Sequence, residues 1–306
     1  MIAFVLSGGG NRGPLEVGAL QALFAHEVVP DLLVGTSAGA VNAALIAADP
    51  SLVGALTLGQ IWRSIRKKDV FPGNPLTMAW RVLVGKDSLI SGGAIHRLIL
   101  DNLPPGVETF GDLPVRLYLT AADLHTATLY LFGDDPTARL VDAAMASTAL
   151  PITLPPYDYQ GHQLVDGGVV ANVPIEIAME RGATEIYAVD LGYSGEPDQD
   201  AHGVISIGQH VLRTMIYQQL LDDLAEAAED PTLTLHHVRM PAFGDVSMWD
   251  FSRTDEMIQA GRETMNDYLS SPQPVTSALQ FRQLTTPPEP TGIPGAVPYV
   301  PRWRRG

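Results

Sequence analysis

Two glycine-bracketed turns near the start of the chain constrain its fold more than any other feature. Ser7–Gly13 (SGGGNRG) follows the apolar run Ile2–Leu6, and Gly35–Gly39 (GTSAG) follows Leu32–Val34. Each opens a stretch of helical apolar periodicity, so the layout reads strand, turn, helix, twice in succession. Short continuous apolar runs suit central strands of a parallel sheet covered on both faces. In the second turn, Gly35 and Gly39 lack the Cβ atoms that would obstruct a sharp reversal. Ser37 is then left at the tip with its hydroxyl exposed, the arrangement of a nucleophile elbow. The first turn lies close upstream, and its glycine amides are placed to bind the negative oxygen of a tetrahedral acyl intermediate.

The rest of the pattern extends this βαβ start into a three-layer α/β sandwich with a mainly parallel central sheet. Leu15–Phe24 is helix-like, and Ala38–Ala48 reads as a helix buried all round. From Ser51 to Asn102 the pattern is helical with no evident strand. Strands are expected at Val115–Ala121, Thr128–Phe132, Gln163–Val165, Glu185–Leu191 and Leu233–Val238. Helices are expected at Leu140–Ala149, Pro174–Arg181, Val204–Glu229 and Thr254–Leu269. The expected organisation is one hydrolase domain over residues 1–270, followed by a Pro-rich tail over 271–306 that contains Pro287, Pro288, Pro290, Pro294, Pro298 and Pro301.

Composition excludes several classes. The chain has 306 residues, 46% of them hydrophobic and 17% charged, enough for a large core. With 19 Lys and Arg against 34 Asp and Glu, the formal charge is −15, which repels phosphate backbones and argues against nucleic acid. It also disfavours unaided docking on anionic lipid. There are no cysteines, hence no disulfides or thiolate metal sites. The opening MIAFVLSGGG has no basic leader and reads as a core strand. Ala38–Ala48 is too short to span a bilayer and is interrupted by Asn42. A cytoplasmic protein is expected.

Gly8, Gly10 and Gly13 also match a dinucleotide-binding fingerprint. That fingerprint needs an acidic residue at the end of the second strand, where this chain has Val34, Gly35, Thr36 and Ser37. Histidines are poor candidates for the base. His125 and His162 sit in turns, His162 in a solvated one, and adjacent His236 and His237 point to opposite faces of a strand. Glu196, Asp198 and Asp200 lack the spacing of a calcium loop. Trp62–Lys86 mixes aromatic residues with Arg63, Arg66, Lys67 and Lys68. It reads either as a lid or lipid-contacting surface, or as an ordinary amphipathic cap.

The elbow sits on what reads as the second strand, earlier than in α/β-hydrolases. Taken together, the motifs resemble those of the patatin-like phospholipase family of serine acyl hydrolases. GGGNRG is similar to the family's glycine-rich oxyanion turn, and GTSAG to its elbow. ASTALPITLPP (Ala146–Pro156) is similar to its segment of small residues and prolines, and DGGVVANVP (Asp166–Pro174) to its catalytic aspartate turn. The likeness runs in order as far as Leu191 and is weak beyond Gly192.

The resemblance implies a Ser37–Asp166 dyad without histidine. Gly8, Gly9, Gly10, Asn11, Arg12 and Gly13 would form the oxyanion turn, with Arg12 orienting it. Gly35, Gly39, Gly167 and Gly168 would support the elbow and the aspartate turn. The implied activity is phospholipase A or esterase chemistry on a lipid or ester substrate, with transient membrane contact and no cofactor or metal. The alternative is a lipid-binding or regulatory protein on the same fold. Because a carboxylate near its reference pKa of about 3.9 is a weak base, Asp166 would have to be partly desolvated and held against the hydroxyl.

Overall fold

The computed structural model describes residues 1–70, 88, 93–192, 202–241, 243, 246–247 and 250–275. In chain order the elements are β1 (Ile2–Leu6), a 3-10 turn (Gly10–Arg12), α1 (Gly13–Ala25), β2 (Leu32–Gly35), α2 (Ala38–Ala48), α3 (Leu52–Ser64), α4 (Lys67–Val70) and α5 (Gly93–Asn102). There follow β3 (Arg116–Asp123), β4 (Thr128–Phe132), α6 (Leu140–Ser147), β5 (Tyr157–Tyr159), β6 (His162–Asp166), α7 (Ile175–Glu180), β7 (Glu185–Asp190), α8 (Val204–Glu229), β8 (Thr234–Arg239) and α9 (Thr254–Ser270). Strand β5 was not evident from sequence: its residues YDY carry too little apolar alternation to announce it.

These strands form one eight-stranded sheet along the path β5-β6-β3-β2-β1-β7-β8, with β4 also paired to β3. The pairs β1–β2, β1–β7, β2–β3 and β7–β8 are parallel, whereas β3–β4, β3–β6 and β5–β6 are antiparallel. Strand β1 is buried on both faces because its residues alternate between two cores. Phe4 and Leu6 join Leu15 and Leu20 of α1, Ala40 and Ala44 of α2, and Met257 and Ile258 of α9. Ala3 and Val5 join Ile175 and Ala178 of α7 and Leu220, Leu221 and Leu224 of α8. The result is the three-layer α/β sandwich with a mainly parallel sheet. Beyond α9, Val275 bridges Leu235 of β8 and is itself buried.

The register of β3 positions the site. Residues Leu119–Asp123 of β3 pair with β4 along one edge. On the opposite edge β2 pairs with Arg116–Leu119 and β6 with Ala121–Asp123. Strand β2 runs parallel to β3 and β6 antiparallel to it, so β2 and β6 approach each other end to end. Gly35 lies opposite Leu119 and Asp166 opposite Ala121. The C-terminal ends of the two strands therefore meet at one point on β3, although about 130 residues of chain separate them, far beyond any local-sequence interaction.

Candidate active site

Ser37 occupies the junction of β2 and α2 with φ 55° and ψ −119°. That is a sparsely populated conformation for a residue with a side chain, and it persists only when its surroundings over-determine it. Those surroundings are crowded. A Cβ on Gly35 would lie 2.6 Å from the Gly39 carbonyl oxygen, and one on Gly39 would press on the carbonyls of Leu6 and Ser7. Buried Thr36 bonds the Thr120 hydroxyl at 2.6 Å and donates to the Ala171 carbonyl at 2.9 Å. The Ser37 N–H donates to Ser147 Oγ at 2.9 Å. With its backbone so fixed, the Ser37 hydroxyl donates to Asp166 Oδ2 at 2.6 Å.

Asp166 ends β6 and is 4% exposed. Its N–H donates to the Ala149 carbonyl, and its Oδ1 accepts the Gly168 N–H at 2.8 Å. Burial pushes its carboxyl up to about 6, against the opposing pull of the bonds from Ser37 and Gly168. Gly167 and Gly168 allow the turn to close, since a Cβ on either would crowd Thr120 or Asn172. The desolvation and close contact required of a carboxylate base are both present.

The first glycine turn packs against this pair, and a Cβ on Gly8 would sit 3.2 Å from Ser37 Cβ. The structure divides the six turn residues by what their groups do. The Gly8 N–H donates to the Asn172 carbonyl, Arg12 N–H to the Gly9 carbonyl and Gly13 N–H to the Gly10 carbonyl. The Asn11 side chain donates to the carbonyls of Ser247 and Asp250, and Arg12 to that of Gly192. The Gly9 and Gly10 amides have no hydrogen-bond partner among the described residues. Asn11 and Arg12 thus brace the turn through their side chains, and Gly8 joins it to the aspartate segment.

An apolar cavity of about 110 Å³ opens onto the pair. Ser37, Asp166, Gly10 and Asn11 line it together with Val41 and Leu45 of α2, Ile61 and Trp62 of α3, Ile95 and Leu98 of α5, and Leu150, Leu154 and Phe251. Among the described lining residues, Asp166 is the one ionisable group. Of the two readings of the Trp62–Lys86 stretch, Trp62 itself fits the packed cap: it is 6% exposed and forms cavity wall. Its neighbour Arg63 pairs with Asp255 at 2.6 Å. Phe71, Met78, Trp80 and Lys86, the side chains of Lys67 and Lys68, and the acidic residues Glu196, Asp198 and Asp200 lie outside the described residues.

No histidine partners Ser37 or Asp166 among the described hydrogen bonds. His162, expected to be solvated, has a 41% exposed side chain and also bonds Asp123 at 2.8 Å, while His236 stacks on Tyr187 and His237 bonds buried Asp190. Sequence reasoning missed Ser147, Thr120 and Asn172, the residues that brace the two turns. Ser147 lay within a quoted motif, but a small polar residue on a helix carries no signal of the turn it will meet. No helix among the described residues is long and apolar enough to cross a membrane.

Comparison with known proteins identifies the family of the chain. The patatin-like phospholipase family profile matches residues 4–179, more than half of the sequence, and the chain belongs to that family. Patatin-like phospholipase domain-containing protein 6 of Mus musculus is 32% identical over 207 residues, covering 66% of this chain and 14% of that protein. Lysophospholipase NTE1 of Candida albicans is 24% identical over 290 residues, covering 87% of this chain and 20% of that protein. The chain therefore spans a small part of the length of these relatives. Among solved structures, VipD from Legionella pneumophila aligns with a TM-score of 0.47 at 14% identity, over 88% of this chain and 66% of that one.

Proposed function

We propose that the protein is a serine lipid acyl hydrolase of phospholipase A or esterase type, working through a Ser37–Asp166 dyad. The observation that carries this reading is the 2.6 Å bond from the Ser37 hydroxyl to a buried carboxylate at an apolar cavity. Asp166 takes the hydroxyl proton as Ser37 Oγ attacks the ester carbonyl carbon. The resulting oxyanion is met by the amides of Gly9 and Gly10, which have no partner among the described residues and are held by the bracing bonds of Asn11 and Arg12. Collapse breaks the ester C–O bond, and the departing alkoxide receives the proton from Asp166. Water then attacks the acyl-enzyme, again giving its proton to Asp166, and Ser37 leaves with that proton.

The substrate in this reading is an ester with an aliphatic acyl group. An apolar cavity accepts the chain, and among its described lining residues the base is the one charged group. Family membership and a relative named as a lysophospholipase support a lipid ester reached by transient contact with lipid. No cofactor enters the scheme.

The test is hydrolysis of a short-chain nitrophenyl ester and of a lysophospholipid by purified protein. Ser37→Ala is expected to abolish both, and Asp166→Asn to lower turnover by at least about 10²-fold, the usual scale for a lost general base. Full activity in either variant would contradict the dyad.

A further inference from the structure

Buried Glu16 has no part in the proposed chemistry, yet it ends a chain of side-chain bonds that reaches the cavity wall. The Trp62 indole N–H donates to Asn42 Oδ1 at 2.7 Å. Asn42 Nδ2 donates to the Gly13 carbonyl at 3.1 Å and to Glu16 Oε2 at 2.8 Å. Both Asn42 and Glu16 are fully buried. One amide oxygen and two amide hydrogens are all an asparagine offers, and here each has a partner. A flipped amide would set its nitrogen against the indole N–H and its oxygen against two oxygens, so the orientation is fixed.

The ring itself is clamped. Gly13 has no side chain where the indole lies, because a Cβ there would meet the ring, including its Cη2 at 2.7 Å. Phe251 stacks nearby with centroids 6.5 Å apart and planes 25° from parallel. Trp62 is thereby tied to α1 through Gly13 and Glu16, and to α2, the helix that Ser37 opens. Many apolar cavities yield to a larger guest by rotating a side chain. This wall cannot rotate without leaving a buried indole N–H and a buried amide oxygen unpartnered.

We propose that Trp62, pinned by the Glu16–Asn42 relay, sets which acyl groups the Ser37 site accepts. This rests on the hydrolase reading above. Chains that fit beside the fixed indole are processed; longer or branched chains that need the ring to move are rejected. Trp62 is the specificity-determining residue, and Asn42 and Glu16 are positioning residues that act through it. Burial raises the Glu16 carboxyl well above its ordinary range, and a glutamine, of the same size and shape, keeps a side-chain oxygen to accept from Asn42.

The test is kcat/KM for a series of nitrophenyl esters from acetate to decanoate, including a branched acyl group. Wild type, Trp62→Phe, Asn42→Ala and Glu16→Gln are compared, with Ser37→Ala as control. Trp62→Phe and Asn42→Ala are expected to shift the ratio of long or branched to short esters upward by about tenfold or more, the scale at which pockets discriminate by size. Glu16→Gln should keep the wild-type ratio. In the Ser37→Ala background, calorimetric binding of octanoate and decanoate should strengthen on adding Trp62→Phe, a readout that does not depend on turnover. If Asn42→Ala fails to fold, Trp62→Phe still decides the matter. Equal loss on all esters with unchanged fatty-acid binding would make Trp62 a structural residue and overturn the proposal. Hydrolysis persisting in Ser37→Ala would instead overturn the underlying hydrolase reading.

Discussion

A methyl group added at Gly39 would press on the main chain of Leu6 and Ser7, whereas one added at Gly10 would meet no atom within 4 Å. The two glycines occupy corresponding strand-to-helix turns of successive βα units, yet they answer different demands. The elbow around Ser37 is crowded, and its glycines exist so that β2 and α2 can close on β1. The first turn is packed at Gly8, Gly9 and Gly13, where a Cβ would meet Asn172, Leu191 and Trp62, but open at Gly10, whose glycine answers to a backbone with φ +59°. Gly39 therefore serves packing, and Gly10 backbone conformation.

The largest expected effect comes from confusing the two. Gly39→Ala should destabilise at or beyond the upper end of the roughly 1–3 kcal/mol typical of overpacking, because carbonyl groups in the sheet cannot move aside. Gly10→Ala should still fold, losing about 1–2 kcal/mol for a side chain at positive φ. The shifted amide should nevertheless cost turnover about 10²–10³-fold, the scale of one lost oxyanion donor. Thermal melts and ester turnover on both variants separate these outcomes. A Gly39→Ala protein as stable as wild type, or a fully active Gly10→Ala, would erase the distinction.

Next in size is the pH dependence of the carboxylate that faces the elbow. Asp166 stands at about 6 in the folded protein against 3.8 for a free aspartate, with burial as the main cause. Turnover should rise with pH through a midpoint near 6, as the base form appears. Stability moves the other way. A raised carboxyl contributes fully below pH 3.8, and its contribution is lost as pH rises through about 6. Asp166→Asn should therefore gain stability relative to wild type on going from pH 5 to pH 8. The gain over that interval should be about 1.4 kcal/mol, because only about one pKa unit of the difference lies above pH 5, at 1.36 kcal/mol per unit. Denaturant unfolding at the two pH values measures it, and an identical difference at both would mean that Asp166 does not titrate there.

The smallest effect concerns backbone strain at a β-branched residue. Ile152 has φ +71° and is 73% exposed, between the cavity-lining residues Leu150 and Leu154. A β-branched residue is poorly suited to that conformation. Ile152→Gly relieves the strain but adds freedom to the unfolded chain, so the net gain should be about 1 kcal/mol or less. A lower melting temperature would show that the added freedom of the unfolded chain outweighs the relieved strain.

The sequence disclosed the site through its glycines. SGGGNRG and GTSAG announced two sharp turns because few other residues permit them, and DGG marked the strand end that carries the carboxylate. The central strands were visible for the same local reason: Ile2–Leu6 and Leu32–Val34 are apolar throughout, as two-sided burial demands. What stayed hidden depends on contacts across the fold. Strand β5 owes its existence to pairing with β6, and its sequence YDY reads as polar. Whether Trp62 faced lipid or packed as a cap stayed open, because nothing local records that Asn42 and Gly13 hold its indole inward. The end-to-end meeting of β2 and β6 on one edge of β3 is likewise a property of register.

The central claim is that Ser37, activated by Asp166, is the acyl-accepting atom of this fold. It is tested most directly by reacting the protein with a fluorophosphonate and mapping the adduct by peptide mass spectrometry. A single adduct on the peptide containing Ser37 is expected, absent in Ser37→Ala and formed much more slowly in folded Asp166→Asn. Labelling that persists in Ser37→Ala, or an undiminished rate in Asp166→Asn, would contradict the account.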